Sequence, residues 1–138
     1  MKLNEIMSRE LVTCSPDESI AQVARKLQDN DIGMCPVVEG DRLVGVVTDR
    51  DITTRAVAKG FDVNSTMIGE IMTRDPISVE VSMEAEEICE IMSEHQIRRL
   101  PVMRDNKLVG IVALADLALD LEEEELVADT LINISQPA

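Results

Sequence analysis

The chain has 138 residues, of which 45% are apolar, and a net charge of −14 from 13 basic and 27 acidic side chains. That apolar share can build a buried core, which excludes a disordered acidic tail. A surface this acidic repels a phosphate backbone, and Phe61 is the only aromatic residue, so a nucleic-acid partner is excluded on both charge and stacking grounds.

Met1 to Glu10 is polar, without the apolar centre of a signal peptide. No stretch approaches the roughly 18–20 apolar residues of a membrane span. Cys14, Cys35 and Cys89 are odd in number and form no C-x-x-C pair, so a disulfide framework is not expected and a reducing cytoplasm is the default compartment.

An internal repeat organises the rest. Glu5-Ile6-Met7-Ser8-Arg9 returns as Glu70-Ile71-Met72-Thr73-Arg74, Ile32…Pro36-Val37 as Ile97…Pro101-Val102, and Leu43-Val44-Gly45 as Leu108-Val109-Gly110, every pair 65 positions apart. The reading is repeat one at 5–60, a linker at 61–69, repeat two at 70–121 and an acidic C-terminal helix and tail at 122–138. The charge is uneven across these parts. Residues 1–65 carry 8 basic and 11 acidic side chains (−3), and residues 66–138 carry 5 and 16 (−11).

In repeat one, Leu11 to Cys14 reads as a short strand. Ser15-Pro16-Asp17-Glu18 supplies a serine cap, a first-turn proline and a reciprocal glutamate, a helix-start signal. Ile20, Val23, Ala24 and Leu27 then make one apolar helix face, which repeat two restates as Ala85, Ile88, Cys89 and Met92. Apolar segments from Pro36 and Pro101, polar turns at Gly40-Asp41 and Asp105-Asn106, and strands at 43–47 and 108–112 predict antiparallel hairpins. A second helix is predicted over about 49–59, with Gly60 placed to cap it. The expected fold class is α/β of the α+β kind: two β-α-β-β-α repeats, each short of apolar mass, packed sheet to sheet about a pseudo-twofold axis. Leu117, Leu119 and Leu121 continue a helix into Glu122–Glu125, and Leu126 to Ala138 reads as a solvated helix with a loose end or as a partner contact.

The candidate site is Gly45-Val46-Val47-Thr48-Asp49-Arg50-Asp51-Ile52. Thr48 and Asp51 have capping-box spacing, which by itself can account for both. The counterpart is Gly110-Ile111-Val112-Ala113-Leu114-Ala115-Asp116-Leu117, where Ala113 cannot cap and yet an acid stands at Asp116. A helix-end acid gains only about 0.3–1 kcal/mol from the dipole, so the surviving acid argues for a second task. A carboxylate can accept from both vicinal hydroxyls of a ribose, and a threonine hydroxyl with helix-start amides suits phosphate.

The doubled β-α-β-β-α unit, the I-x-x-x-P-V turn and the G-h-h-T-x-x-D-h signature resemble a tandem cystathionine-β-synthase (CBS) domain pair, or Bateman module. The likeness is to small stand-alone bacterial proteins built from that pair, and it covers residue 3 to about 121. It implies a regulatory module that binds adenine nucleotides or related adenosyl ligands in clefts between repeats, usually as a face-to-face homodimer, with no catalysis.

By that resemblance Thr48 meets phosphate and Asp51 ribose. The base would need an aliphatic slot, for which Val12, Cys14, Ile32, Met34 and Val46 are candidates that serve equally well as core. Gly33 would let a ligand approach the backbone. Arg98-Arg99, the chain's only adjacent pair of arginines, is either a surface pair neutralised by Glu90 and Glu94 or, as basic residues at these positions often are in the family, a phosphate clamp suited to guanidinium geometry. Arg50 and Arg55 assist the first signature or are solvated helix residues. One strong site is expected, with the ribose and hydroxyl signature from repeat one and phosphate-binding arginines from repeat two, and a weak or empty second at Asp116 and Ala113.

His95 is the sole histidine, and no nucleophile motif or phosphate-loop motif occurs, so an enzyme is not expected. No cofactor is required in this reading, and an adenine nucleotide acts as the regulatory ligand on an unknown effector protein or on the homodimer itself. The alternatives are a ligand-free dimerising scaffold and, more remotely, a thiol-based metal or redox sensor at Cys14 and Cys35.

Overall fold

A computed structural model describes Leu3, Met7 and residues 11–120 and 124–137. The elements are α1 (Ile20–Asn30), β1 (Met34–Glu39), β2 (Arg42–Thr48), α2 (Asp49–Asp51, running on as a π-helix over Ile52–Val57), a 3-10 turn at Ile68–Glu70, β3 (Thr73–Arg74), β4 (Val79–Glu80), α3 (Ala85–His95), β5 (Arg99–Arg104), β6 (Lys107–Ala113), α4 (Leu114–Asp120) and α5 (Glu124–Ile134). They form two α+β units, each with a three-stranded sheet in order β1-β2-β3 or β4-β5-β6.

The compact units are cut differently from the sequence repeats. One comprises 12–76, and the other joins 77–138 to 1–11. Thr73-Arg74, which the repeat assigns to the opening of its second copy, pairs antiparallel with Val46 and Gly45 of β2. A Cβ on Gly45 would stand 2.8 Å from the Thr73 carbonyl oxygen and 2.7 Å from the Met72 sulfur, so β3 reaches β2 only across a bare backbone. Leu3, from the first copy, lies fully buried in the core built by α3, β5, β6 and α4.

Both hairpins form as expected, with Met34 opposite Thr48 and Arg99 opposite Ala113, and each carries a bulge after Val37 or Val102. The turn residues Gly40, Asp105 and Asn106 have positive φ, as a tight antiparallel connection demands. The predicted strand at 11–14 reduces to one parallel bridge, Cys14 with Val37, held by Cys14 N–H to the Pro36 carbonyl (3.0 Å) and Val38 N–H to the Cys14 carbonyl (2.8 Å).

α1 starts one turn later than predicted. Ser15 and Glu18 do close a box, with Asp17 N–H on the Ser15 hydroxyl and Ser15 N–H on the Glu18 carboxylate. That box shapes a turn, and Glu18 is also drawn to Lys26 at 2.7 Å. Ser19 and Gln22 form the true capping box. Ile20, Val23 and Leu27 are then buried, and Ala85, Ile88, Cys89 and Met92 repeat the pattern.

The second helix of the first unit also departs from expectation. Thr53 and Thr54 donate their hydroxyls to the Asp49 and Arg50 carbonyls at 3.2 and 2.9 Å. Occupied carbonyls compete with the regular i−4 amide bond, and Ala58 and Phe61 instead donate to Thr53 and Ala56, five residues back. Gly60, at φ +72°, ends it.

The tail is no loose solvated helix. Leu126, Val127 and Ile134 of α5 pack on the core of the second unit, Thr130 is buried with its hydroxyl on the Leu126 carbonyl, and the Gln96 amide donates to the Asn133 and Gln136 carbonyls at 3.2 and 3.1 Å. Leu121 and Glu122 lie outside the described residues.

Candidate functional site

Two strand-to-helix junctions carry the candidate residues. At the first, the hairpin register sets Met34 beside Thr48, and Asp49 N–H donates to the Gly33 carbonyl at 3.1 Å. Gly33, Met34, Thr48 and Asp51 therefore gather at one end of the sheet. Thr48 is extended, and its hydroxyl accepts Asp51 N–H at 3.1 Å while the Asp51 carboxylate accepts Thr48 N–H at 2.9 Å. The other Asp51 oxygen lies 3.5 Å from the Arg55 guanidinium. Arg55 also donates to the Ile71 carbonyl (3.0 Å) and the Thr73 hydroxyl (2.9 Å). It is thus a strut from the π-helix to β3, neither free to assist a ligand nor merely solvated. Arg50 is exposed.

The second junction keeps half of this geometry. Leu114 N–H donates to the Arg98 carbonyl at 2.8 Å, as Asp49 does to Gly33. The Asp116 carboxylate accepts Ala113 N–H at 3.0 Å. The surviving acid therefore has a structural task of its own. A capping box is two separate hydrogen bonds, and replacing the hydroxyl removes one of them. Asp116 still satisfies an orphan amide, so its presence alone does not require a ligand.

At the second junction lies a pocket of about 330 Å³ lined by Arg98, Arg99, Ala113, Leu114, Ala115, Ala118, Val127 and Leu131. Both arginines are exposed, and among the described residues neither meets Glu90, Glu94 or any other acid at salt-bridge distance. Within the described residues the pair thus lacks the ion pairs with Glu90 and Glu94 that would neutralise it. Val127 and Leu131 were missed in the sequence. Their only signal was the helical recurrence of Leu126, Val127, Thr130, Leu131 and Ile134.

Cys14 and Cys35 converge, as expected, but inside the core: they are 2% and 0% exposed. Both thiols donate to the Pro36 carbonyl at 3.7 Å, and Cys35 reaches the Val12 carbonyl at 3.5 Å. Its hydrogen bond with Cys35, and then burial, push the Cys14 thiol well above the ordinary cysteine range. The same hydrogen bond, against burial, draws the Cys35 thiol below it. No group of three or more His, Cys, Asp or Glu side chains among the described residues could hold a metal. Cys14 sits opposite Val37, three positions along β1 from Met34, so it is a core residue of the first unit, as are Cys35 and Val47. Val12, Ile32 and Val46 are half-buried.

Comparison with known proteins bears on this arrangement directly. The CBS domain model matches residues 3–57 and again 68–123. The chain belongs to the CBS domain family. It is 39% identical over 133 residues to the CBS domain-containing protein YhcV of Bacillus subtilis, covering 96% of this chain and 94% of that one. The crystal structure of Hypoxic Response Protein I, solved with two coordinated zinc ions, superposes with a TM-score of 0.81 at 34% identity, over 88% of this chain and 99% of that one. A CBS domain pair solved with 5′-methylthioadenosine and S-adenosyl-L-methionine gives a TM-score of 0.76 at 30% identity, covering 86% and 98%. No helix among the described residues is long and apolar enough to cross a membrane. Two CBS repeats thus account for nearly all of the chain, and α5 lies beyond the second match.

Proposed function

We propose that this CBS pair is a non-catalytic regulatory module that senses an adenine nucleotide or a related adenosyl compound, acting as a homodimer in the cytoplasm. The observation that carries the reading is the pair of arginines, without an acidic partner among the described residues, in the lining of the pocket of about 330 Å³. Two exposed guanidiniums side by side in the more acidic half of the chain suit an anionic group, which they can hold in charge-assisted hydrogen bonds. The related pair that binds adenosyl compounds supports the class of ligand.

In the first repeat, Thr48, Asp51, Gly33 and Met34 form the corresponding set, with the half-buried carboxylate of Asp51 assigned to ribose and Arg50 to the phosphate side. Its capping bond to Thr48 leaves acceptor capacity for sugar hydroxyls. The ligand regulates by binding one state of the module more tightly than the other, and the effector is a second protein or the dimer itself.

One observation favours the competing scaffold reading. Thr48 N–H and Arg55 already engage both Asp51 oxygens, so the signature is structurally accounted for without a ligand. Isothermal titration with AMP, ATP, 5′-methylthioadenosine and S-adenosyl-L-methionine decides between them. The expected outcome is binding of at least one ligand, weakened about ten-fold or more by Asp51→Asn, which keeps a capping oxygen but loses the carboxylate, or by Arg98→Ala with Arg99→Ala. Failure of all four ligands to bind, with a dimer that dissociates and loses stability on dilution, favours the scaffold.

A further inference from the structure

We propose that α5, which lies outside the CBS match, is the wall that fits the arginine pocket to its ligand, with Val127 and Leu131 as the residues that contact the ligand's apolar body. The proposal rests on the nucleotide reading above and adds a part of the chain that the repeats do not contain.

The pocket has two chemical ends. Arg98 and Arg99 supply cationic donors, while Val127 and Leu131 supply aliphatic surface from a helix that is not adjacent to them in sequence. Leu131 is 48% exposed, so a leucine facing the cavity still has apolar area to lose from water. Val127 also packs against the core, which fixes its position, and Gln96 holds the far end of α5 through the Asn133 and Gln136 carbonyls. A wall anchored at both ends keeps the cavity small. About 330 Å³ lies near the bottom of the range for ligand pockets. The ligand that matches both ends and the size has one anionic group and one compact apolar body, which a nucleoside monophosphate supplies.

Titration of the full chain with AMP tests this through two signatures. Arg98→Ala with Arg99→Ala flattens the salt dependence of binding, because the charge contact is lost. Leu131→Ala is expected to weaken AMP roughly five- to twenty-fold with the salt dependence unchanged and a less negative heat-capacity change, because apolar burial is lost. A position this exposed leaves the ligand-free thermal midpoint near that of the parent. AMP should slow amide exchange across 124–134, and Gln96→Gly, outside the pocket lining and compatible with the positive φ at that position, should weaken binding and that protection together.

If the arginine variants lose AMP while Leu131→Ala and Gln96→Gly bind as the parent does and α5 gains no protection, the wall is refuted and the nucleotide reading survives. If AMP fails to bind, or binds the arginine variants unchanged, the nucleotide reading of this pocket falls and the α5 proposal with it.

Discussion

The two strand-to-helix junctions are copies separated by 65 residues, yet they have diverged in complementary ways. The first keeps both halves of its capping box and follows it with Thr53 and Thr54, whose hydroxyls bond to the Asp49 and Arg50 carbonyls where the helix becomes a π-helix. The second has Ala113 in place of the capping hydroxyl and Ala118 and Leu119 in place of the two threonines, and α4 stays a regular α-helix. The first is tied down by Arg55 to β3, while the second stands beside a pocket with two arginines that lack described partners. Thr48 and Thr53 of the first copy are replaced in the second by Ala113 and Ala118, and both alanines line that pocket. Duplication has yielded one junction with a complete capping box and one with half of it beside a cavity.

The comparison breaks most readily at Gly45. Gly45→Ala drives a Cβ against the Thr73 carbonyl, and a backbone neighbour cannot move aside as a side-chain tip can. A loss of about 1–3 kcal/mol is expected, read as a lower urea midpoint. A midpoint within error of the parent would mean that β3 does not cover β2 in solution. Next comes an exchange of caps. Thr48→Ala makes the first junction resemble the second and should cost about 1 kcal/mol; Ala113→Thr should return part of that to the second, because Asp116 N–H regains an acceptor. Equal and negligible changes would show that the hydroxyl half of the box does not contribute in either copy. The smallest effect belongs to Thr53→Val with Thr54→Val. Stability is expected to shift by no more than about 0.5 kcal/mol, as is usual for surface changes, while amide exchange over 52–58 changes as i−4 bonding returns. An unchanged exchange pattern would assign the π-helix to some cause other than the threonine hydroxyls.

Much of this was legible beforehand because it is local. Apolar spacing placed α1 and α3, and Gly40-Asp41 and Asp105-Asn106 placed both hairpins. The doubled signature pointed to the CBS family before any comparison was made. Local signals also misled where two of them competed. Ser15 and Ser19 each begin a box, and only packing of Ile20 against the sheet decides which one starts the helix. Asp116 looked unexplained because a capping box was treated as one device. The α5 wall and the Arg55 strut were illegible for another reason: they join residues far apart in sequence, and no periodicity records which helix face meets which cavity.

The exchange of opening segments bears on the order in which the chain can fold during synthesis. The 12–76 unit draws its sheet, helices and core from one uninterrupted stretch, so it can close while later residues are still being added. The other unit needs Leu3 from the beginning and Ile134 from the far end in the same core. Leu3 precedes Ile134 by more than a hundred residues and must wait through their addition before its own core can form.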